Sequence, residues 1–222
     1  MVTNLSLQQR LDIFLHQATL YPVSCEALGN GRSDEQWLNG VLAGGTRIVQ
    51  LRDKESNDRT LYEKAILFRR KTIEANALLI INNRLDIALA VGADGIHLGN
   101  SDLPAEAARA LAPEMIIGVS ANTEEQAATA KARGASYFNI GPIYATKTKK
   151  RLTSFLGAEA IPDFAARCDL PFTVMGGIKF HHIHELTKAG ARRIAVVTAL
   201  TKAENISTET SRWINEINKA GR

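Results

Sequence analysis

Cysteine is scarce in this 222-residue chain, and long apolar runs are absent. The two cysteines, Cys25 and Cys168, are too few for a disulfide framework and lack metal-site spacing, so we expect free thiols in a reducing compartment. No stretch approaches the roughly 20 apolar residues of a membrane span. Residues 1–18 carry polar side chains where a signal peptide has its apolar core. These absences predict a soluble, cytoplasmic protein with no membrane partner.

Aromatic side chains and an excess of one charge are also modest. The chain has two tryptophans, four tyrosines and seven phenylalanines, and its formal net charge is +4. Because the cations are scattered along the chain, the pattern disfavours a nucleic-acid partner and suits anionic small molecules. With 45% hydrophobic and 23% charged residues, the composition is that of a globular protein whose length suits one domain.

What the sequence does contain is a regular alternation of short β-branched segments with helical stretches. Helical spacing occupies the intervals, for example 60–75, 103–112, 123–133 and 180–188. Continuous apolar runs within the short segments are typical of parallel strands that are buried on both faces. The predicted strands are 20–24, 47–52, 78–83, 95–99, 116–120, 137–142, 172–177 and 193–199.

A repeat of glycines supports the count of eight strands. Gly45, Gly92, Gly134 and Gly190 each follow a helical stretch and precede strands two, four, six and eight. Eight alternating βα units predict an α/β protein with a single-domain (β/α)₈ TIM barrel. We expect this domain to span residues 1–222, with a barrel core at about 20–200 and flanking terminal helices. Since periodicity does not show closure, an open doubly wound sheet is the alternative.

The active site of such a barrel lies at the carboxyl ends of its strands. Gln50 and Arg52 share one face at the end of strand two, and Lys54 follows them into the loop. An amide, a planar guanidinium and an ammonium group together suit a diphosphate. The alternative is an exposed loop in which these cations pair with Asp53.

Oxygen ligands follow strands three and four. Asn82 and Asn83 end strand three, and Asp102 stands in the loop after strand four. A carboxylate there would hold Mg²⁺ together with phosphates and water. Alternatively, Asp102 would cap the helix that begins near residue 103.

Strands six, seven and eight lead into a second group of anion-binding candidates. The loop after strand six contains Thr146, Thr148 and Lys149, and its alternative is a solvated basic loop. Gly177 and Thr198 stand at the ends of strands seven and eight, and barrels often bind phosphate in the loops after these strands. The sequence therefore predicts two anion pockets across one barrel mouth.

Three histidines close together raise the alternative of a zinc site. His181 and His184 lie one helical turn apart, with His182 between them. No carboxylate or fourth ligand stands at a matching spacing, which favours solvated residues on an early helical turn.

These residues together resemble thiamine phosphate synthase, from about Leu20 to Leu200. The most specific element is the Thr-Lys-Thr-Lys sequence that follows Gly141-Pro142, whereas the glycine motifs recur in many barrels. The motifs that carry the resemblance are Gln50-Leu51-Arg52-x-Lys54, Asn82, Gly92-Ala93-Asp94-Gly95-x-His97-Leu98-Gly99, Gly141-Pro142-Ile143-x-x-Thr146-Lys147-Thr148-Lys149, Gly176-Gly177-Ile178 and Ala195-Val196-Val197.

The resemblance implies a Mg²⁺-dependent transferase of thiamine biosynthesis. Such an enzyme joins hydroxymethylpyrimidine diphosphate to thiazole phosphate by a dissociative substitution that releases diphosphate. The implied diphosphate ligands are Gln50, Arg52, Lys54, Asn82 and Lys149. Ser120 would lie near the pyrimidine, and Thr146, Thr148, Gly177 and Thr198 would bind the thiazole phosphate. Asn83 and Asp102 would hold the metal, and the implied catalytic residues are Lys149, Ser120 and Arg52.

Four positions depart from the family pattern. Asn83 stands where the family has a metal-binding Asp, Asn100 replaces Gln, Asn122 replaces His and Thr198 replaces Ser. Because most of these changes lie on the metal and pyrimidine side, two alternatives stay open. One is a thiazole tautomerase-like paralogue that acts on thiazole phosphate alone, and the other is a non-catalytic thiamine-phosphate-binding protein. Small barrels often pair, so a homodimer is a further expectation.

Overall fold

Eight parallel strands form the centre of the protein, as the sequence predicts. The computed structural model describes residues 5–29, 31–145 and 155–221. Each strand overlaps its predicted segment. The strands are β1 (Leu20–Pro22), β2 (Ile48–Leu51), β3 (Leu78–Asn82), β4 (Gly95–Leu98), β5 (Ile116–Ala121), β6 (Tyr137–Ile140), β7 (Phe172–Met175) and β8 (Ile194–Val196).

The strands pair in a barrel rather than an open sheet. Their order is β1-β8-β7-β6-β5-β4-β3-β2, with every pair parallel. A parallel bridge between Val23 and Gln50 joins the two ends of this order. The Ser24 amide also donates to the Gln50 carbonyl at 2.9 Å. The (β/α)₈ prediction is confirmed, and the open-sheet alternative is wrong because its two edges are paired with each other.

Helices alternate with the strands and surround them. The glycines of the predicted repeat, Gly45, Gly92, Gly134 and Gly190, all have positive φ, the conformation for which glycine is suited. The helices are α1 (Leu7–His16), α2 (Asp34–Ala43), α3 (Asp58–Glu74), α4 (Leu85–Val91), α5 (Ala105–Leu111), α6 (Glu124–Ala130), α7 (Ile161–Arg167), α8 (Ile183–Lys188), α9 (Thr198–Thr201) and α10 (Ile206–Ala220).

Helix α1 lies across the end of the barrel at which the strands begin. Phe14 is fully buried, and its ring lies 4.8 Å from that of Tyr137 inside the barrel. Arg193, which precedes β8, donates to the Phe14 carbonyl at 2.8 Å. Arg10 is buried and pairs at 3.3 Å with Asp94, which precedes β4. Apolar packing and paired buried charges therefore hold α1 in place.

The C-terminal helix completes the outer layer. Trp213 on α10 is buried, and its ring meets that of Phe180 edge-on at 5.7 Å. Gly40 on α2 brings α10 close, because a Cβ at that position would lie 2.7 Å from the Ile206 Cβ. Among the described residues, no helix is long and apolar enough to span a membrane.

Candidate active site

A cavity of about 480 Å³ opens at the carboxyl ends of the strands. It brings together every predicted site residue that the structure describes, so the two expected anion pockets share one space. Thr146, Thr148 and Lys149 lie outside the described residues, and their placement stays a prediction. The predicted residues that line the cavity are Gln50, Arg52, Lys54, Asn82, Asn83, Asp102, Ser120, Gly177 and Thr198.

The β2 side of the cavity carries positive charge. Arg52 and Lys54 are the Lys and Arg side chains among its described lining residues, and Asp102 is the carboxylate. The Arg52 amide donates to Ser24 Oγ at 3.0 Å, and its guanidinium contacts Cys25 Sγ at 3.9 Å. The alternative, in which Arg52 and Lys54 pair with Asp53, does not form. Asp53 turns away and pairs with Lys64 at 2.7 Å, so it leaves both cavity cations available to an anion.

Amide and carboxylate oxygens line the cavity beyond β3 and β4. Asn83 has a left-handed backbone (φ 65°), and its backbone N–H donates to the His97 carbonyl at 2.9 Å. Asp102 accepts from the Gly99 amide at 2.6 Å through Oδ2. The capping alternative for Asp102 is wrong, because α5 begins at Ala105 and Pro104 occupies its N-cap without a side-chain bond.

The floor of the cavity contains a chain of hydrogen bonds that sequence reasoning missed. Gln50 Nε2 donates to Tyr21 Oη at 2.9 Å, and Tyr21 Oη lies 3.1 Å from Tyr137 Oη. Tyr137 Oη lies 3.0 Å from His97 Nδ1, and His97 Nε2 lies 3.2 Å from Ser120 Oγ. The chain therefore connects two predicted site residues, Gln50 and Ser120, across the barrel.

Gln50 donates to the Tyr21 hydroxyl, which also accepts or donates in its bond to Tyr137. The donors in the two His97 bonds depend on which ring nitrogen carries the proton. Burial raises the pKa of both tyrosines, so both phenols stay protonated at neutral pH.

Gly118 on β5 was the clue in the sequence to the buried tyrosine. A Cβ at this position would overlap the Tyr137 ring. A glycine inside a strand of branched residues often marks a place where another group approaches closely. The tyrosines themselves lie within apolar strands, and the sequence pattern does not distinguish the barrel interior from the helix-facing side.

The β7 and β8 side of the cavity is lined by backbone rather than by charged side chains. Gly177 has φ 64°, and a Cβ there would overlap the carbonyl oxygen of Ala145. The Tyr144 amide donates to the Gly176 carbonyl at 2.9 Å, so the segment after β6 lies directly against this turn. Thr198 begins α9, a single helical turn that lines the cavity.

Two positions that depart from the family pattern contact each other. Asn100 Nδ2 donates to Asn122 Oδ1 at 2.8 Å and reaches Gln126 Oε1 at 3.3 Å. Gln126 Oε1 also accepts from the backbone N–H of Asn122 at 2.7 Å, and the side-chain Nδ2 of Asn122 donates to the Gly141 carbonyl. The substituted side chains therefore form one network that joins the loops after β4, β5 and β6.

Two of the three histidines contact side chains of other segments. His182 stacks on Tyr144 with ring centroids 3.8 Å apart, and His184 pairs with Glu216 at 2.6 Å. Burial and the neighbouring His181 lower the pKa of His182. Among the described residues, none of these histidines belongs to a group of three close ligand side chains.

Asn83 and Asp102 have the right chemistry for a hard cation. Both line the cavity and offer oxygen atoms, the ligands that Mg²⁺ prefers. Within the described residues, Asp102 Oδ1 has no hydrogen-bond donor, because the Gly99 bond uses Oδ2. One carboxylate and one amide are a small ligand set, so the phosphates of a substrate would have to complete the coordination.

Comparison with known proteins agrees with the geometry of the site. The model of the family described as thiamine monophosphate synthase matches residues 20–200. The thiamine-phosphate synthase of Pelotomaculum thermopropionicum is 39% identical over 196 residues, which cover 88% of this chain and 90% of that protein. The one from Moorella thermoacetica is 40% identical over 205 residues, covering 92% and 98%.

A solved structure gives the same result. The thiamine phosphate pyrophosphorylase of Pyrococcus furiosus superposes with a TM-score of 0.84 at 31% sequence identity. The match covers 91% of this chain and 96% of the other. Sequence and structure comparisons therefore point to the same family.

Proposed function

Since the chain belongs to the thiamine monophosphate synthase family and has the activity of a thiamine-phosphate synthase, a transferase of thiamine biosynthesis, we propose where its two substrates bind in the cavity. Hydroxymethylpyrimidine diphosphate occupies the floor and the β2–β4 side. Thiazole phosphate occupies the β7–β8 side. The observation that carries this division is the separation of the cationic side chains from the glycine-lined turn within one cavity.

The cations of the β2 side hold the diphosphate. Arg52 supplies a planar pair of donors and Lys54 a mobile ammonium, and Asn82 adds an amide at the same edge. Lys149 would join them from the loop after β6. These groups stabilise the negative charge that grows on diphosphate as it leaves, which makes Arg52 and Lys149 catalytic.

The hydrogen-bonded floor orients the pyrimidine ring. Gln50 is 3% exposed and lies deeper than Arg52, which is why we assign it to the ring rather than to the diphosphate. Ser120 stands at the other end of the chain, where it contacts His97 and lines the cavity. A ring held at both ends keeps its methylene carbon in place for attack.

The backbone of the opposite side binds the thiazole phosphate. Amides at Gly177 and around Thr198 are suited to phosphate, as in other barrels that bind it after strands seven and eight. Thr146 and Thr148 would add hydroxyl donors. The thiazole nitrogen then faces the methylene carbon and forms a C–N bond to it after the C–O bond to diphosphate has broken. The departing diphosphate keeps the electron pair of that bond.

Mg²⁺ is the metal that we propose, with Asn83 and Asp102 as its protein ligands. When bound, it would neutralise charge on the diphosphate. Since the family Asp is Asn83 here, this chain presents one negative charge fewer to the metal. We expect weaker Mg²⁺ binding for that reason.

Three broader expectations accompany this assignment. We propose that residues 1–222 form one barrel domain located in the cytoplasm. Its partners would be the two small substrates, without nucleic acid or membrane. A homodimer stays a prediction.

A single assay tests the assignment. Purified protein is mixed with both substrates over a range of Mg²⁺ concentrations, and thiamine phosphate and diphosphate are followed together. We expect equal amounts of the two products. Thiazole phosphate that binds without product formation would instead support the tautomerase-like or binding-protein alternative.

Lys149, in the loop after β6, gives the most direct mutational test. We expect Lys149→Ala to lower the rate by at least about 100-fold, because one stabilising charge at the leaving group is lost. Thermal unfolding should stay at the wild-type temperature, since loops contribute little packing. Lys188→Ala, an exposed lysine on α8, is the control. Unchanged turnover in Lys149→Ala would remove this loop from the active site.

A further inference from the structure

Lys64 on α3 connects three segments of chain beside the cavity. Its ammonium lies 2.5 Å from Glu26 Oε2, 3.1 Å from Asp34 Oδ2 and 2.7 Å from Asp53 Oδ2. Glu26 follows β1, Asp34 begins α2 and Asp53 follows β2. One cation thus joins the two loops that follow the first two strands to the start of a helix.

The charge balance of this cluster explains why it holds together. Ligand oxygens of Glu26, Asp34 and Asp53 lie within 4.8 Å of one another, close enough for strong repulsion without a cation. Lys64 supplies that cation from within the chain, so these acids need no metal ion. Burial alone would lower the pKa of Lys64, but its hydrogen bonds to Asp53 and Glu26 raise it, and the ammonium stays charged.

Asp53 connects the Lys64 cluster to the loop that carries Arg52 and Lys54. Its carboxylate accepts from Ser56 Oγ at 2.7 Å and from the amides of Glu55 and Ser56 at 3.0 Å each. The carboxylate side chain is 8% exposed. Because Asp53 lies between Arg52 and Lys54 in sequence, fixing it fixes the backbone from which both cations extend.

We propose that Lys64 is a positioning residue for diphosphate binding, which it serves by fixing the loop of Arg52 and Lys54 through Asp53. Lys64 does not line the cavity among the described residues, so it would act through Asp53 and not by contact with the substrate. This inference rests on the proposed function, because it assigns the diphosphate to those two cations. A displacement of about 1 Å in such groups is enough to lower activity strongly.

The test compares Lys64→Met with a matched substitution on the same helix. Lys71→Met is the control, because Lys71 is also 20% exposed and also pairs with a carboxylate, Glu35, away from the cavity loop. The readouts are KM for each substrate, the Kd of inorganic diphosphate by calorimetry, and thermal unfolding. Arg52→Met serves as the reference for direct loss of a diphosphate ligand.

We expect Lys64→Met to raise KM for the pyrimidine diphosphate and Kd for inorganic diphosphate about 10- to 100-fold. KM for thiazole phosphate should stay within about twofold, and Lys64→Arg should restore most of the affinity because it keeps the charge. Lys71→Met should change neither constant. A purely structural role for Lys64 would change the unfolding temperature without this selectivity.

Three results would overturn the inference. The first is an equal rise in both KM values, and the second is wild-type diphosphate affinity in Lys64→Met while Arg52→Met binds weakly. Unchanged affinity in Arg52→Met would overturn the proposed diphosphate site together with the inference. If Lys64→Met does not fold, Asp53→Asn replaces it, because it removes one charge without a change of shape. The same selective loss, smaller in size, is then expected.

Discussion

The two sides of the cavity are lined by different kinds of groups. Beyond β2, β3 and β4 the cavity presents side chains, with Arg52 and Lys54 as cations and Asp102 as a carboxylate. Beyond β7 and β8 it presents the backbone of Gly177 and the first turn of α9. In the proposed arrangement, the first side would hold an anion through charged side chains and the second through exposed backbone.

This difference bears on the substitutions that each side accepts. On the charged side, a change at a position such as Asn83 alters charge or ligand atoms but leaves the backbone in place. On the glycine side almost any side chain would occupy the space of neighbouring backbone. A single substitution can therefore change the charge of one side, whereas the backbone turn at Gly177 has no space for a side chain.

The largest effect is expected from the charged side. Arg52→Met should lower kcat/KM for the pyrimidine diphosphate by at least about 100-fold, because a charged donor to the leaving group is removed. Arg52→Lys should recover part of this loss, since it keeps the charge without the planar fork. Arg59→Met, whose side chain is 89% exposed, is the control in the steady-state assay. Equal loss in both Arg52 variants would show that geometry rather than charge matters here.

A medium effect is expected from the glycine side. Gly177→Ala should raise KM for thiazole phosphate about 10-fold, because the new Cβ would overlap the Ala145 carbonyl and displace the turn. Gly190→Ala is the control, because it introduces backbone strain without this overlap. Gly190 has φ 103°, and no atom lies within 4 Å of the position that a methyl group would take there, so its variant should lose stability but keep both KM values. A rise in KM for both substrates of Gly177→Ala would contradict the division of the cavity.

The smallest effect is expected at the metal ligand. Asn83→Asp should lower the Mg²⁺ concentration for half-maximal rate roughly fivefold, because it adds a negative charge next to the cation. Asn76→Asp is the control, since Asn76 shares the left-handed backbone (φ 51°) and does not line the cavity. A Mg²⁺ requirement that stays constant or rises in Asn83→Asp would place the metal on other ligands.

Much of the fold could be predicted from sequence because its rules are local. The positions of the strands followed the β-branched runs, although β8 ends at Val196 and the predicted strand residues Thr198 and Ala199 begin α9. Gly45 and its three counterparts, which follow helices in the sequence, all have positive φ. The charged side of the cavity was equally readable, since Arg52 and Lys54 follow a strand directly. In a parallel barrel that position alone places them at the mouth.

The rest depends on contacts between residues far apart in the chain. Tyr21 and Tyr137 look like ordinary core residues, and only closure of the barrel brings their hydroxyls together. Lys64 sits in a helix full of charged residues, and only the packing of α3 against the loops reveals its three partners. Such contacts follow from topology, and apart from Gly118, which leaves space for the Tyr137 ring, the local sequence does not indicate them.

Helix α1 has a consequence for how the boundary of this protein is drawn. The family match begins at residue 20, after α1 has ended at His16. Yet Phe14 on α1 packs against the Tyr137 ring, and the Tyr137 hydroxyl is hydrogen-bonded to His97. A shorter version that starts at the family boundary would keep every residue of the resemblance and still admit water beneath that ring. For expression, fusion or domain transfer, the unit to move begins before α1.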